Sequence, residues 1–240
     1  LGGGNHFIEI QKGSDGYIWI MIHSGSRNIG YTVAKHYHQK ASELNEEKNN
    51  EEIPKDLSGF EKGTELYDAY VREMNYCIGF AFNNRKLMME RVKEAFRQVF
   101  GEVEFDDFIN KPHNFASFEN HFGEELIVHR KGATRARKRE LGMIPGTPSY
   151  IVKGKGNKDA FESCSHGAGR VMSRAQAKKS LSVKEEAGPL EERGILHAIR
   201  HQSDLDEAPG SYKDIREVME LQKDLIDIVI ELQPLAVIKG

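Results

Sequence analysis

The chain has 240 residues, of which 30% are charged, and its formal net charge is −3. This balance excludes a globally basic nucleic-acid-binding protein, so any surface for RNA or DNA must be local. There is no apolar run of membrane-spanning length and no signal peptide, and two cysteines give no disulfide framework. These features predict a cytoplasmic protein without a membrane partner.

Strands and helices follow one another along the chain without a regular order. Strands are predicted at residues 5–10, 17–22, 126–129, 150–152 and 235–238, and the apolar run 17–22 is expected to be buried. Helices are predicted at residues 30–44, 64–100, 171–180 and 214–232, the last from its amphipathic pattern. The charged segment 45–58 is expected to be a loop excursion. We expect a mixed α+β fold, irregular, with mixed sheets flanked by helices in one large domain over residues 1–240.

Four histidines lie at predicted strand ends or beside glycine, asparagine or serine: His6, His23, His113 and His166. A single histidine in such a place is more often structural, but imidazole nitrogens bind manganese, iron, zinc, copper and nickel alike. The four are far apart in sequence, and no HxH or HExxH motif is present. The residues alone therefore allow either a metal site or four unrelated side chains.

Two segments have the composition of a phosphate-binding surface. The first is SCSHGAGR at residues 163–170, with Arg174 one helical turn later. Its small residues leave the His166 imidazole approachable and let backbone N–H groups close around an anion. The second is the basic segment 130–139, which carries six cations and could hold a polyphosphate or an RNA backbone. The alternatives are a tight turn with an incidental histidine and a solvated charged turn.

Eight segments in one order resemble the RNA-splicing ligase family of the RtcB type: LGGGNHFIEI, IHSGSRNIG, HNFASFENHFGEELIVHRKGATRA, GMIPG, SYIVKGKGN, SCSHGAGRVMSRAQAKK, YKDI and VIKG. The resemblance runs almost end to end and is weakest through residues 40–110. It implies an enzyme that joins RNA 3′-phosphate or 2′,3′-cyclic phosphate ends to 5′-hydroxyl ends. It further implies GTP and manganese, two Mn²⁺ ions in the family, as cofactors and RNA ends as partners, in tRNA splicing or RNA repair.

The resemblance also implies roles for individual residues. His166 would be the nucleophile that forms a histidine–GMP phosphoramidate, and the metal ligands would include His6, His23 and His113. GTP or GMP would contact Asn5, Phe7, Glu9, His166, Gly167, Ala168, Gly169, Tyr212 and Lys239. Phosphate or RNA would contact Arg174, Arg130, Lys131 and Arg135.

The chain departs from the family pattern in two places. The family carries an Asp and a bridging Cys that ligate manganese upstream of the point where this chain begins, and neither Cys77 nor Cys164 lies in a comparable motif. The loop after Gly146 is shorter than the family's PGSMG loop. We therefore expect an N-terminally truncated member, weak or inactive in isolation. Two alternatives stay open: a manganese-dependent nucleotidyl transferase acting on another phosphorylated end, and a truncated or decayed GTP- or RNA-binding fragment without turnover.

Overall fold

The structure is a computed structural model that describes residues 1–47, 53–54, 57–106 and 108–240. These residues form strands and helices in a mixed order, which confirms the α+β class expected from the sequence. The strands are β1 (Phe7–Gly13), β2 (Ile18–His23), β3 (Asn114–His121), β4 (Glu124–Lys131), β5 (Ala133–Arg135), β6 (Leu141–Ile144), β7 (Ser149–Gly154), β8 (Ser163–Ser165) and β9 (Ile226–Lys239). The α-helices are α1 (Arg27–Glu47), α2 (Glu65–Phe100), α3 (Arg174–Ser180), α4 (Val183–Glu192) and α5 (Ile215–Leu221), and 3₁₀ helices span Gln202–Glu207 and Pro209–Ser211.

The described chain divides into two compact units. The sheet unit comprises Leu1–His23 and Val92–Gly240, and the helical unit comprises Ser24–Arg91. The strands β1 to β9 all belong to the sheet unit, whereas α1 and the first part of α2 belong to the helical unit. None of the helices in the described ranges is both long enough and apolar enough to cross a membrane. That residues 1–240 act as one domain stays a prediction.

The central sheet of the sheet unit has the strand order β2-β1-β9-β7-β6, and its neighbouring strands are antiparallel. Successive residues of a strand face opposite sides of a sheet. Accordingly, Tyr150 and Val152 of β7 pack in one hydrophobic cluster with α5, whereas Ile151 packs in a second cluster with Met21 and Leu232. Both faces of the sheet are therefore partly covered by apolar side chains, which fixes the strand register.

Two further strand pairs bring distant segments next to each other. The hairpin β3–β4 pairs Asn114 with Lys131, and the pair β5–β8 joins Ala133 to Ser165. Because only one residue separates β4 from β5, the start of β3 and the end of β8 meet at the same place. His113 and His166 directly adjoin these two strand ends.

Two helices differ from the sequence expectation. The helix predicted at residues 171–180 begins only at Arg174, because the side chain of Ser173 accepts a hydrogen bond from the Gln176 amide and caps the helix. The helix predicted at residues 214–232 is wrong beyond Leu221, since residues 226–232 belong to β9. That stretch is rich in branched apolar residues, which suits a strand, and it pairs with β7.

The strand predicted at residues 17–22 exists, but its predicted burial is wrong. β2 lies at the edge of the sheet, where Met21 is buried and the Ile18 side chain remains about half exposed, at 53%. Of the charged segment 45–58, residues 45–47 belong to the end of α1. Residues 48–52 and 55–56 lie outside the described residues, so the loop excursion stays a prediction there.

Candidate active site

The four histidines that the sequence singled out come together in the sheet unit. The His113 and His166 rings stack, with centroids 4.3 Å apart and an interplanar angle of 16°. His23 lies against both, with its ring centroid 4.9 Å from that of His113 and 6.4 Å from that of His166. The His6 ring completes the cluster, 6.1 Å from His23. Four residues scattered over 160 positions of sequence thus form one group.

The strand ends explain this convergence. His6 directly precedes β1, and His23 ends β2, the strand that pairs Phe7 with His23. The other two histidines are joined through Gly132. The amide of Gly132 donates to the His113 carbonyl at 3.0 Å, and its own carbonyl accepts the His166 amide at 3.2 Å. Gly132 has a φ of +68°, a conformation that glycine adopts without strain.

The hydrogen-bonding of two ring nitrogens in the cluster indicates what the cluster can bind. His6 Nδ1 lies 3.1 Å from the Leu1 carbonyl, which can only accept, so the ring donates there; in a neutral ring the lone pair is then on Nε2. His166 Nδ1 is buried and has no hydrogen-bond partner in the described part of the chain. A buried polar atom without a partner marks a place where a bound ligand could satisfy it.

The donors of the cluster suit a metal ion in kind, because neutral imidazole binds first-row divalent metals. Their present arrangement is not a finished ligand shell: among the described residues, no group of three His, Cys, Asp or Glu side chains is placed to hold an ion. The metal set His6, His23 and His113 therefore stays a prediction.

A cleft of about 910 Å³ opens beside the histidines. It is lined by every residue that the sequence predicted for the nucleotide: Asn5, Phe7, Glu9, His166, Gly167, Ala168, Gly169, Tyr212 and Lys239. The loop around Gly146 also lines it, through Pro145, Gly146 and Thr147. A cavity of this size with a few convergent polar groups is typical of a small-ligand site.

Two titratable groups, one buried and one partly buried, lie on the β1–β9 side of the cleft. Burial raises the pKa of Glu9 to about 7, although a hydrogen bond from Gln11 at 2.6 Å acts in the opposite direction. Burial also lowers the pKa of Lys239, whose Nζ donates to the Gly4 carbonyl at 2.7 Å. Lys239 is the register partner of Phe7, so the two side chains share one end of the cleft. The cleft thus offers a poorly solvated acceptor and a poorly solvated donor to a ligand.

The structure separates the four cations expected to contact phosphate or RNA. Arg174 lines the cleft, and its side chain is 54% exposed. Lys131 is exposed, and Arg135 is partly buried in an ion pair with Glu140.

The expectation for Arg130 is wrong, because this residue serves the interior of the protein. The Arg130 side chain is 1% exposed and donates from two nitrogens to the two oxygens of Glu119, at 2.6 and 2.9 Å. It also donates to the Ser163 hydroxyl and to the Phe161 carbonyl. A guanidinium with these partners is not available to an RNA backbone.

Sequence reasoning missed some residues of the site. Gln11 and Glu207 lie in segments without a motif. Gln11 donates to the Ser149 hydroxyl, 138 positions along the chain. Glu207 accepts hydrogen bonds from Arg170 and Arg174, which lie in other segments. Gly132 carried a partial signal, since it interrupts the basic segment with a small residue.

The chain was compared with known proteins. Residues 1–240 match the family model RtcB, described as tRNA-splicing ligase RtcB. The chain is 40% identical to "RNA-splicing ligase RtcB" of Escherichia coli K12, over 100% of this chain and 60% of that protein. It is 34% identical to "tRNA-splicing ligase RtcB" of Methanopyrus kandleri, over 100% of this chain and 30% of that protein. It is 32% identical to "RNA-splicing ligase RtcB homolog 1" of Entamoeba dispar, of which it covers 52%. The chain thus spans about 60% of the length of the Escherichia coli relative.

Proposed function

This chain belongs to the tRNA-splicing ligase RtcB family, and from this premise we propose that it carries the nucleotidyl-transfer site of an RNA ligase. The proposed reaction joins an RNA 3′-phosphate or 2′,3′-cyclic phosphate end to a 5′-hydroxyl end, with GTP and Mn²⁺. RNA splicing and tRNA splicing are the activities that the names of the relatives state. The cytoplasmic location expected from the sequence stays a prediction.

The observation that carries the proposal is the environment of His166. Its ring stacks on His113, its Nδ1 is buried without a partner in the described residues, and it lies in the wall of the cleft. A neutral imidazole is a nucleophile for phosphorus when it is held in one orientation. The bond from its amide to Gly132 and the stack on His113 both hold the residue in place.

We assign three transfers to this site. An imidazole nitrogen of His166 bonds to the α-phosphorus of GTP, and pyrophosphate leaves. A 2′,3′-cyclic phosphate end is first opened by water, which breaks the bond to the 2′-oxygen and gives a 3′-phosphate. An oxygen of the RNA 3′-phosphate then bonds to the α-phosphorus, which releases His166 and leaves GMP on the RNA end. Finally the 5′-hydroxyl oxygen attacks the phosphorus of the RNA 3′-phosphate, and GMP leaves as the phosphodiester forms.

The surrounding residues would stabilise the charge that moves in these steps. Backbone N–H groups between Gly167 and Gly169 would face the phosphoryl oxygens, and Arg174 would contact a phosphate of the RNA end. Glu9 would accept hydrogen bonds from guanine, with Phe7 and Tyr212 alongside the base. When bound to His6, His23 and His113, Mn²⁺ would supply Lewis-acid stabilisation of phosphoryl oxygens.

Covalent labelling tests the proposal. We expect the chain, incubated with Mn²⁺ and GTP radiolabelled at the α-phosphate, to acquire a label that is weak, as the sequence predicts, and acid-labile, because a histidine phosphoramidate is hydrolysed in acid. His166→Ala should abolish the label. His129→Ala is the matched control, because His129 is exposed on β4 and should leave the labelling unchanged.

The outcomes separate the alternatives. Joining of a 3′-phosphate RNA to a 5′-hydroxyl RNA supports the ligase, whereas a label without joining supports a nucleotidyl transferase with another acceptor. Absence of label with Mn²⁺ and with other divalent metals would contradict both and favour a binding fragment without turnover.

A further inference from the structure

Three side chains of the candidate site donate hydrogen bonds to the carboxylate of Glu207. Its side chain is 4% exposed, at the end of the 3₁₀ helix Gln202–Glu207. Arg170 Nη1 donates to Oε2 at 2.9 Å, and Arg174 Nε donates to Oε1 at 2.6 Å. The Tyr212 hydroxyl also donates to Oε2. Both arginines that follow His166 and the tyrosine of the cleft wall therefore share one acceptor.

The segment that carries Glu207 is itself held firmly. The Asp204 carboxylate accepts the amides of Arg200 and His201 at 2.9 and 2.8 Å. Gln202 Nε2 donates to the carbonyls of Lys178 and Leu181, at the end of α3. Leu205 is fully buried. These contacts leave the Glu207 carboxylate little freedom, so it can impose its position on its partners.

The bond to Glu207 orients the Arg174 guanidinium. Arg174 is about half exposed, and a long side chain at that exposure populates several rotamers unless a partner selects one. With Nε bonded to Glu207, Nη2 lies 3.2 Å from the position that a Cβ on Gly4 would occupy. The guanidinium is therefore held against the backbone that leads into Asn5 and His6, next to the histidine cluster.

Tyr212 is held from two sides. Its hydroxyl is bonded to Glu207, and the Arg170 guanidinium lies over its ring, 5.1 Å from the centroid. Arg170 is fixed in turn by bonds to the Asp206 and Met172 carbonyls, at 2.6 and 2.9 Å. The orientation of the Tyr212 ring in the cleft wall thus also depends on the Glu207 carboxylate.

We propose that Glu207 is a positioning residue, which aligns Arg174 toward the terminal phosphate of an RNA 3′ end and Tyr212 toward the guanine nucleotide. This inference rests on the proposed function. Glu207 acts through its hydrogen bonds to these side chains and not by contact with the substrate. A purely structural ion pair would stabilise the fold without affecting the recognition of a terminal phosphate.

Binding of a short RNA separates the two roles. The probe is a fluorescent oligoribonucleotide with a 3′-phosphate, compared with the same RNA with a 3′-hydroxyl, and the readout is the ratio of the two affinities. In the unmodified chain we expect a preference of about tenfold for the phosphate, the size of a charge-assisted hydrogen bond. Arg174→Ala should remove the preference. Glu207→Gln should reduce the preference for the 3′-phosphate by about fivefold. When Arg174 is already replaced by alanine, the same substitution should change the ratio of affinities by less than about twofold, because both residues act on the one contact with the phosphate.

A second variant covers the risk that Glu207→Gln does not fold. Glu207→Asp keeps the negative charge between the two arginines but withdraws the carboxylate by one methylene group, and it should reduce the preference in the same way. If a folded Glu207 variant keeps the full preference, or if the effects of Glu207→Gln and Arg174→Ala multiply, the inference is overturned. If the unmodified chain shows no preference for the 3′-phosphate, this result contradicts the proposed function itself, and the inference on Glu207 falls with it. If Arg174→Ala keeps the preference, the assignment of Arg174 fails, and the inference fails with it.

Discussion

Glu9 is a buried acid whose protonation should set the pH dependence of stability. Burial raises its pKa to about 7 in the folded chain, while in the unfolded chain it ionises near 4.5. Between these values the unfolded state releases the proton first, so the folded state loses stability as the pH rises and bears the full penalty above pH 7. The contribution is about 3.5 kcal/mol, since the two pKa values differ by about 2.5 and one pKa unit corresponds to about 1.4 kcal/mol.

Glu9→Gln removes this penalty, so we expect the variant to gain stability over the parent chain, by more at pH 8 than at pH 5. The glutamine keeps an acceptor for Gln11 Nε2, which donates to Glu9 Oε1 at 2.6 Å. Urea denaturation at the two pH values measures the gain. Glu125→Gln, at an exposed position of β4, is the control. An equal gain at both pH values would show that Glu9 does not titrate in this range.

The sequence identified some residues of the site and not others, for a physical reason. His6, His23, His113 and His166 were recognisable because strand ends and small neighbours leave a side chain accessible, and these features are local. Glu207 was not recognisable, because its role comes from side chains of other elements that the fold brings to it. A carboxylate in a segment with several acidic residues has no local signal for such a role.

At the level of elements, the hairpin β3–β4 illustrates how a cation can be misread from sequence. Six cations in ten residues suggest a surface for RNA, but β4 alternates between its two faces, and Arg130 falls on the buried one. There it pairs with Glu119, which lies four residues beyond its register partner Phe115 in β3, and closes a network with Ser163. Composition alone could not decide which cations face solvent, because that depends on strand register.

We expect Arg130→Ala to destabilise the chain by about 3–5 kcal/mol, since it leaves the buried Glu119 carboxylate without its guanidinium partner. Lys131→Ala, one residue further on the exposed face, should change stability by less than about 0.5 kcal/mol. Thermal and urea denaturation of both variants measure the difference. Equal effects would contradict a structural role for Arg130.

The long strand β9 shows where periodicity fails as a guide. Val218 to Val229 reads as an amphipathic helix, and α5 does form, but it ends at Leu221. From Ile226 to Leu232 the chain pairs with β7, and from Leu232 to Lys239 it pairs with β1; both partners are more than 70 residues away in sequence. Pairing with a distant strand outweighs a local helical preference, and only the fold supplies that partner. By contrast, the predicted strands within β1, β4 and β7 were confirmed.

At the level of the whole chain, the two compact units differ in how much apolar surface they bury. In the sheet unit, two hydrophobic clusters flank the central sheet. In the described part of the helical unit, the buried hydrophobic residues are Tyr37, Ala41 and Cys77. Regions with few buried apolar contacts open at lower free energy than a core sheet. The helical unit should therefore open more often than the sheet unit under native conditions.

The two cysteines report on this difference, because each unit contains one of them. Cys77 lies on α2 in the helical unit, and Cys164 lies on β8 in the sheet unit. Both side chains are buried. Burial raises the pKa of each thiol, and it raises that of Cys164 to about 11. A thiol in this state reacts with a disulfide reagent only after opening, so the labelling rate measures the opening equilibrium. Each single-cysteine variant reports on one unit. We expect the Cys164→Ser variant, which keeps Cys77, to be labelled at least about tenfold faster than the Cys77→Ser variant, which keeps Cys164. This ratio corresponds to an opening free energy that is lower by about 1.4 kcal/mol in the helical unit. Labelling of both at one rate would mean that the units open together, in a single cooperative transition.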